Sequence, residues 1–426
     1  MLSSHLEENF ALVSTLQENF RGQLGALARK VVGNDEQVKY EALVQINGYI
    51  RLLGPKASTL IDTSIEHLSL GILKMLSFDY SSVHLVEDRL VATARPDVDR
   101  SRLILEPPQL SGLSQFPKKS FVYFREERTL REVSQLCRLL GYFGNAAFLV
   151  DHFSHHLEAE DTLLDTSHAA EEEALPPSRQ RTEIIFLLNE LLLGMAAIGV
   201  RASFEDSDTE TVKIAPRASQ PELRSLSLSL LQIYLDSPAW FQPTNNIDAE
   251  AYNDFQRRMR STHRALFQQY PVERLNNNIL QLTLLLEGVA NISRIHGRQF
   301  RNQLMDSLYP VLETYEDANR MVHEAASVAL SQLADSCGYG GVPDMILDNV
   351  DYVVNGASSK LRHFTLNPSV PRVLCAAIRQ VGAPIIPFLE DSVDEVFDAL
   401  DQYHDQFFVC WSLIKGQASP FSPVGF

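Results

Sequence analysis

Three glycines set the period of this chain. Gly297, Gly338 and Gly382 each close a helical segment, and they stand 41 and 44 residues apart. That spacing is the length of a two-helix HEAT or armadillo repeat. One unit shows the rest of the pattern. Phe300, Leu304, Leu308, Val311 and Leu312 mark a first helix with Pro310 late in it. Asp317 lies in the turn, where its carboxylate is expected to cap the next helix. Val322, Ala325, Ala326, Ala329, Leu330 and Leu333 line that second helix, and the small alanines let it press against a neighbour. Before the unit, Leu275, Ile279, Leu282, Leu285, Leu286, Val289 and Ile292 form another stripe. Three- and four-residue steps place each set on one helix face. A single pair cannot bury such a face, whereas a stack of pairs makes a continuous core.

No run alternates with period two between turn signals. Helices with short connections and no strands leave a bundle or a solenoid, and the repeat selects the solenoid. The expected fold is all-α: a HEAT/armadillo-like α-solenoid of stacked helix pairs with acidic and Pro-rich loop insertions.

The chain divides by composition. Residues 1–78 read as N-terminal helical repeats, the clearest helix carrying Tyr40, Leu43, Ile46, Tyr49, Ile50 and Leu53 and stopping at Gly54-Pro55. Residues 79–127 lose the helical period and contain Pro96, Pro107, Pro108 and Pro117, an irregular insertion. Residues 128–157 form a helix pair broken at Gly144. Residues 158–180 are expected to be a flexible acidic linker, because Glu158, Glu160, Asp161, Asp165, Glu171, Glu172 and Glu173 repel one another before Pro176-Pro177. Residues 181–426 continue as the HEAT-like solenoid, read as truncated at the C-terminus. Within it, 221–236 alternates Leu and Ser as a strand would, but with no strand partner nearby it reads as a helix with Pro221 at its start. Ser392-Val393-Asp394-Glu395 has capping-box spacing, with Val396, Phe397, Leu400 and Tyr403 as the apolar face behind it.

Charge and cysteine usage exclude several functions. With 54 acidic against 37 basic residues the net charge is −17, a field that repels phosphate backbones and anionic lipid. Nucleic-acid binding and membrane insertion are not expected. The most apolar run, 184–200, contains Asn189, Glu190 and Gly194 and reads as a buried helix rather than a membrane span. Cys137, Cys337, Cys375 and Cys410 show no metal or redox spacing and sit among apolar residues, as reduced thiols of a cytoplasmic and nuclear protein do.

No residue pattern supports catalysis. Ser–His–acid, Cys–His and paired-carboxylate arrangements are missing, so the chain is read as non-enzymatic and without cofactors. His152 and His156 share a helix face with His155 beside them, but the H-E-x-x-H order and a third ligand are lacking. Gly338-Tyr339-Gly340-Gly341 follows a helix and lacks the Lys-Ser/Thr ending of a phosphate loop, so it reads as a helix-terminating turn.

Several segments resemble one family closely. They are Leu308-Tyr309-Pro310-Val311-Leu312-Glu313, Ala334-Asp335-Ser336-Cys337-Gly338-Tyr339, and Asp348-Asn349-Val350-Asp351-Tyr352-Val353-Val354-Asn355 followed by Leu361-Arg362-His363-Phe364. Pro371-Arg372-Val373-Leu374 and Leu400-Asp401-Gln402-Tyr403-His404-Asp405 continue the likeness. Together, over roughly 275–405, they are similar to the family of Tel-two-interacting protein one, the large HEAT-repeat subunit of the TTT (Tel–Tti–Tti) complex. The resemblance implies a non-catalytic co-chaperone scaffold that supports assembly and stability of phosphatidylinositol-3-kinase-related kinases of the TOR and ATM types. Implied partners are the Tel and second Tti subunits, those kinases and the heat-shock chaperone machinery. Another HEAT adaptor, a transport receptor or a phosphatase scaffold, is the alternative.

Two groups of candidate residues follow. Asp351, Asn355, Lys360 and Arg362 are expected to point outward from the most family-like segment, toward a partner or the next repeat, and Tyr352 either packs or makes a partner contact, since its ring packs while its hydroxyl needs a partner; Ile346, Val350, Val353 or Val354, Ala357, Leu361 and Phe364 are expected to be buried. Ser203 and Ser207 each precede an acid three residues on (Asp206 and Glu210), the pattern of an acid-directed phosphorylation site that would add charge to an acidic loop.

Overall fold

The computed structural model describes residues 35–80, 83, 115–167, 179–201, 216–244, 272–317, 319–361 and 370–402, with isolated positions between 18 and 30. Among these residues there are thirteen α-helices and no β-strand. One isolated antiparallel bridge joins Phe78 and Phe121. The chain falls into two compact units, one built from residues up to Ser82 together with Lys119–Ile233, the other from Val83–Lys118 together with Tyr234 onward.

The first unit contains α1 (Glu36–Leu53), α2 (Ala57–Met75), α3 (Glu127–Phe143), α4 (Ala146–Ser167) and α5 (Arg179–Met195), and most of α6 (Gln220–Leu235). The packing skips along the chain. Helix α1 packs on α3 and α3 on α5, while α2 packs on α4. Two rows of every-second helices are what stacked pairs produce, because each pair buries its stripe against the pair before and after it.

Local chemistry fixes these helices. Asp35 Oδ1 accepts the Gln37 and Val38 amides at 3.0 and 3.4 Å, capping α1. Gly54 closes it at φ 54°, a conformation that L side chains resist. A polar seam then ties α1 to α3. The Glu36 carboxylate accepts the Arg125 and Glu126 amides at 3.0 and 3.2 Å, satisfying donors just before α3 begins. Asn47 donates to the Glu132 carbonyl and carboxylate at 2.9 and 2.8 Å.

Helices α3 and α5 meet backbone to backbone. A Cβ on Gly141 would collide with the Leu191 carbonyl, and a Cβ on Gly194 with the Arg138 carbonyl. The Arg138 guanidinium and the buried Glu190 carboxylate lock the same crossing at 2.6 Å. Every described side chain of α5 from Arg181 to Met195 is buried, which accounts for its apolar sequence. No described helix is long and apolar enough to cross a membrane.

The acidic stretch does not begin as a linker. Helix α4 runs on through it to Ser167, where Leu, Glu and Ala, all good helix formers, outnumber the breakers; residues 168–178 lie outside the described residues. Part of the expected irregular insertion is also ordered. Phe121 stacks on Phe78 at 4.7 Å, and Phe186 meets both rings edge-on at 5.2 and 5.8 Å. The Leu/Ser alternation at 221–236 is helical, as α6.

The second unit contains α7 (Val272–His296), α8 (Leu304–Tyr315), α9 (Arg320–Cys337), α10 (Val342–Asp348), α11 (Val350–Leu361), α12 (Val370–Val381) and α13 (Ile386–Gln402). One row runs α7, α9, α10, α12, and the other α8, α11, α13. Gly297, Gly338 and Gly382 all have positive φ, at 56°, 72° and 77°, so the glycine period marks three left-handed chain reversals. The fold is an all-α solenoid of stacked helix pairs.

Three local expectations are corrected. Asn319, not Asp317, caps α9: its Oδ1 accepts the Met321 and Val322 amides at 2.9 and 3.4 Å. Asp317 sits one step earlier, where it accepts the Asn319 amide at 2.7 Å and the Thr244 hydroxyl at 2.8 Å and so holds the cap in place. Ser392 does not start a helix. It is buried in the middle of α13, whose start is the turn of Ala383–Ile385. Phe397 is 62% exposed rather than buried.

Candidate partner-binding surface

Helix α11 carries the most family-like segment, and its construction separates two faces. Asn349 breaks α10 from α11. Its side-chain amide donates to the Met345 carbonyl at 2.7 Å and to the Tyr339 hydroxyl at 3.1 Å. The Tyr339 hydroxyl donates to Asp348 at 2.9 Å, and the Arg301 guanidinium lies 4.1 Å from the Tyr339 ring centroid. Burial raises the Tyr339 hydroxyl above its ordinary pKa, and it remains a donor at neutral pH. This latch after Gly338 explains why a helix-terminating turn is followed by Tyr and, later, Asp-Asn. The turn itself is a Schellman closure, with the Gly338 and Tyr339 amides on the Asp335 and Ala334 carbonyls at 3.1 and 2.9 Å.

From that break, Val350, Val353, Ala357 and Leu361 turn into the core. Asp351, Tyr352 and Asn355 turn outward, with Ser359 one turn further on. Steps of one and four residues place them on a single exposed face. Tyr352 is 41% exposed. Among the described residues, no side-chain hydrogen bond or ion pair engages Asp351, Tyr352 or Asn355. A carboxylate, a phenol and an amide thus offer acceptors and donors beside an aromatic face, the composition of a protein-contact surface.

Lys360 belongs to the other side. Its ammonium lies 4.0 Å from the Tyr309 ring centroid on α8 and 3.6 Å from the Glu313 carboxylate. Tyr309 in turn packs against Gly356, where an added Cβ would meet the ring at 2.8 Å. Burial, with Glu313 adding to it, pushes the Tyr309 hydroxyl well above its ordinary range. Of the two expected settings, outward or toward the next repeat, Lys360 takes the second. A lysine's long stem lets it lie along a neighbouring helix.

Tyr309, Glu313 and Gly356 were not singled out as site residues from sequence. A glycine inside a helix costs about 1 kcal/mol relative to alanine, so Gly356 carried a usable signal of close approach; nothing in the sequence links positions 309 and 360. Arg362, Phe364, Ser203 and Ser207 lie outside the described residues.

Elsewhere the candidate sites resolve into packing. The His152 and His156 rings are 4.9 Å apart, and His155 Nδ1 bonds the Asp151 carbonyl at 2.9 Å. Among the described residues no group of three or more His, Cys, Asp or Glu is placed to hold a metal. In the first unit a cleft of about 400 Å³ is lined by Phe121, Phe124 and Leu130 with Asp79, Lys119 and Arg125 at its polar wall.

Comparison with known proteins agrees with this architecture. Residues 16–288 match the family described as "TELO2-interacting protein 1 homologue second TPR domain", and residues 308–397 match "TELO2-interacting protein 1". TPR and HEAT units are both stacked helix pairs, so the description fits the two rows seen here. The chain is 29% identical to the mouse TELO2-interacting protein 1 homolog over 413 residues and 28% identical to the human one over 415, in each case 93% of this chain and 35% of the relative. It is 26% identical to TEL2-interacting protein 1 of Saccharomyces cerevisiae over 126 residues, 30% of this chain and 12% of the relative. The chain thus spans about a third of the length of the mouse and human relatives it matches. With one family profile covering more than half of its residues and a second covering the segment that builds α11, the chain belongs to the TELO2-interacting protein 1 family.

Proposed function

We propose that this chain is a non-catalytic scaffold segment that binds a Tel-type protein together with a second Tti-type subunit, and that the α11 face bearing Asp351, Tyr352 and Asn355 is one of its contact surfaces. The relatives that match 93% of the chain are named for interaction with TELO2. The observation that carries the reading is the outward face of α11, polar and aromatic, engaged by no described neighbour and built by the segment most like the family. The resemblance extends the reading to a co-chaperone role: assembly and stability of phosphatidylinositol-3-kinase-related kinases of the TOR and ATM types, in cooperation with heat-shock chaperones, in the cytoplasm and nucleus. Stacked helix pairs present long surfaces suited to cradling another helical protein. In the same proposal the 203–210 loop is phosphorylated at Ser203 and Ser207, as a docking tag for a basic pocket.

The test is affinity purification of the full chain from extract of its native cells, with the recovered proteins identified by mass spectrometry. The proposal expects a Tel-type subunit, a second Tti-type subunit and the large kinases. Recovery of a small GTPase or a phosphatase catalytic subunit in their place would instead favour a transport receptor or phosphatase scaffold.

A further inference from the structure

Helix α13 combines two features that a helix at rest in water should not have. Its seventeen residues carry six carboxylates (Glu390, Asp391, Asp394, Glu395, Asp398 and Asp401) and no lysine or arginine. Glu390 and Asp394, and likewise Asp391 and Glu395, stand four residues apart, where like charges repel on a helix surface. Among the described residues no ion pair engages Glu390, Asp391, Asp394 or Glu395. The same helix exposes large apolar groups: Ile386 is 57% and Phe397 62% exposed. Helical geometry brings these features together. Ile386, Glu390, Asp394 and Phe397 follow one another at steps of four, four and three residues, a single stripe about 16 Å long. Leu389, beside the stripe, and Ser392, on the far side of the helix, are buried, so the stripe cannot turn inward without undoing the core.

We propose that this outer stripe of α13 docks a cationic amphipathic helix of a partner protein. Its lysine or arginine side chains would lie against Glu390 and Asp394, and its apolar side chains would cover Ile386 and Phe397. Charge complementarity selects that occupant: a neutral apolar helix would bury the carboxylates unpaired, and an acidic one would add to the repulsion. The helix-in-groove mode reads its target through apolar anchors at helical spacing, which the stripe supplies at both ends. No other helix of this unit carries as many acids without a base. Helix α12, for instance, carries Arg372 and Arg379 and no acid. The inference rests on the protein-binding reading and adds the chemistry of one partner element.

The experiment titrates the full chain with a fluorescent, helix-forming peptide whose two leucines are eleven residues apart, the spacing of Ile386 and Phe397, with lysines between them. A matched peptide has glutamates in place of the lysines. Saturable binding of the lysine peptide, weakening with salt, is expected, together with a loss of about tenfold or more in Phe397→Asp. The double variant Glu390→Lys/Asp394→Lys should reverse the preference toward the glutamate peptide. All three positions are exposed, and unchanged circular dichroism establishes that the variants are folded. Equal binding by parent and variants overturns the proposal, as does no saturable binding. Binding that arises only after Trp411→Asp would assign the stripe to the chain's own 407–414 segment, and self-association abolished by Phe397→Asp would assign it to a second copy; both overturn it. A chain that recovers its Tel-type partner from extract yet ignores the peptide refutes this inference and leaves the protein-binding reading standing.

Discussion

The Lys360 ammonium sits 4.0 Å from the centre of the Tyr309 ring, while Gly356, one turn earlier on the same helix, lies flat against that ring. The contact joins α8 to α11 and separates the packed side of α11 from its outward side. Removing the cation by Lys360→Met keeps the stem and loses a cation–π and a partly exposed ion-pair interaction, together worth about 1 kcal/mol. Gly356→Ala forces the ring to move and should cost about 1–3 kcal/mol. Urea unfolding should rank Gly356→Ala below Lys360→Met. Neither substitution should alter partner recovery, because neither touches Asp351, Tyr352 or Asn355.

A second prediction concerns α3 and α5. At Gly141 and Gly194 an added methyl meets carbonyl backbone of the facing helix, which has no rotamer by which to yield. Gly141→Ala should therefore destabilise the first unit by at least about 3 kcal/mol, at or beyond the upper end of ordinary overpacking. Gly71, in α2, has open space around its Cβ position and should tolerate alanine. Thermal unfolding of the two variants makes the comparison, and equal midpoints would contradict the helix crossing described here.

These positions show what the residues disclosed and what they hid. The period of Gly297, Gly338 and Gly382 was legible because a left-handed reversal almost demands glycine, so the backbone requirement appears as a residue type. The apolar stripes were legible for the same reason, since burial is paid for locally. Caps were legible only as a class: Asp317 and Asn319 both bond backbone amides, and which of them takes the helix start depends on Thr244, far away in sequence. The outward setting of Asp351 and Asn355 followed from helical phase, whereas Tyr352 was open between packing and exposure because its ring and hydroxyl ask for different surroundings. Lys360 was legible only as one of two settings, outward or toward the next repeat, because its partners on α8 are long-range and a lysine stem reaches in either direction. Ser392 was misread because a capping box is only a spacing, and mid-helix the same spacing arises by coincidence.

A third prediction is a pH dependence. Burial pushes the Glu36 carboxyl up, but the Arg125 and Glu126 amides and the Lys39 ammonium outweigh it, and its pKa ends below the ordinary 4.5. A carboxyl lowered by folding stabilises the native state fully above its unfolded value and loses that contribution as pH falls through the lower folded value. Glu36→Gln should therefore flatten the stability profile at acid pH, below about 4.5, and leave its shape unchanged at neutral pH. Urea midpoints measured across that range check it; parallel profiles for the two proteins would count against the α1–α3 seam.

A fourth prediction concerns the thiols. Cys137 and Cys337 are buried, and burial pushes the Cys337 thiol up to about 11 and Cys137 higher still, with the Glu190 carboxylate adding to the rise at Cys137. Cys375 is exposed, although desolvation of its sulphur and then Glu316 raise it as well. Of the three described cysteines, Cys375 should be alkylated first at mild alkaline pH, and Cys137 only as the first unit unfolds. Peptide mapping after timed alkylation reads this directly, and early modification of Cys137 would be incompatible with its burial.

The account turns on the outward face of α11 being a protein contact. Hydroxyl-radical footprinting of the chain, alone and in the complex it forms with its Tel-type partner, measures this at Tyr352. The account predicts strong oxidation of Tyr352 in the free chain, a marked fall in the complex, and low oxidation of the buried Tyr309 in both. Equal oxidation of Tyr352 in the two states would contradict it.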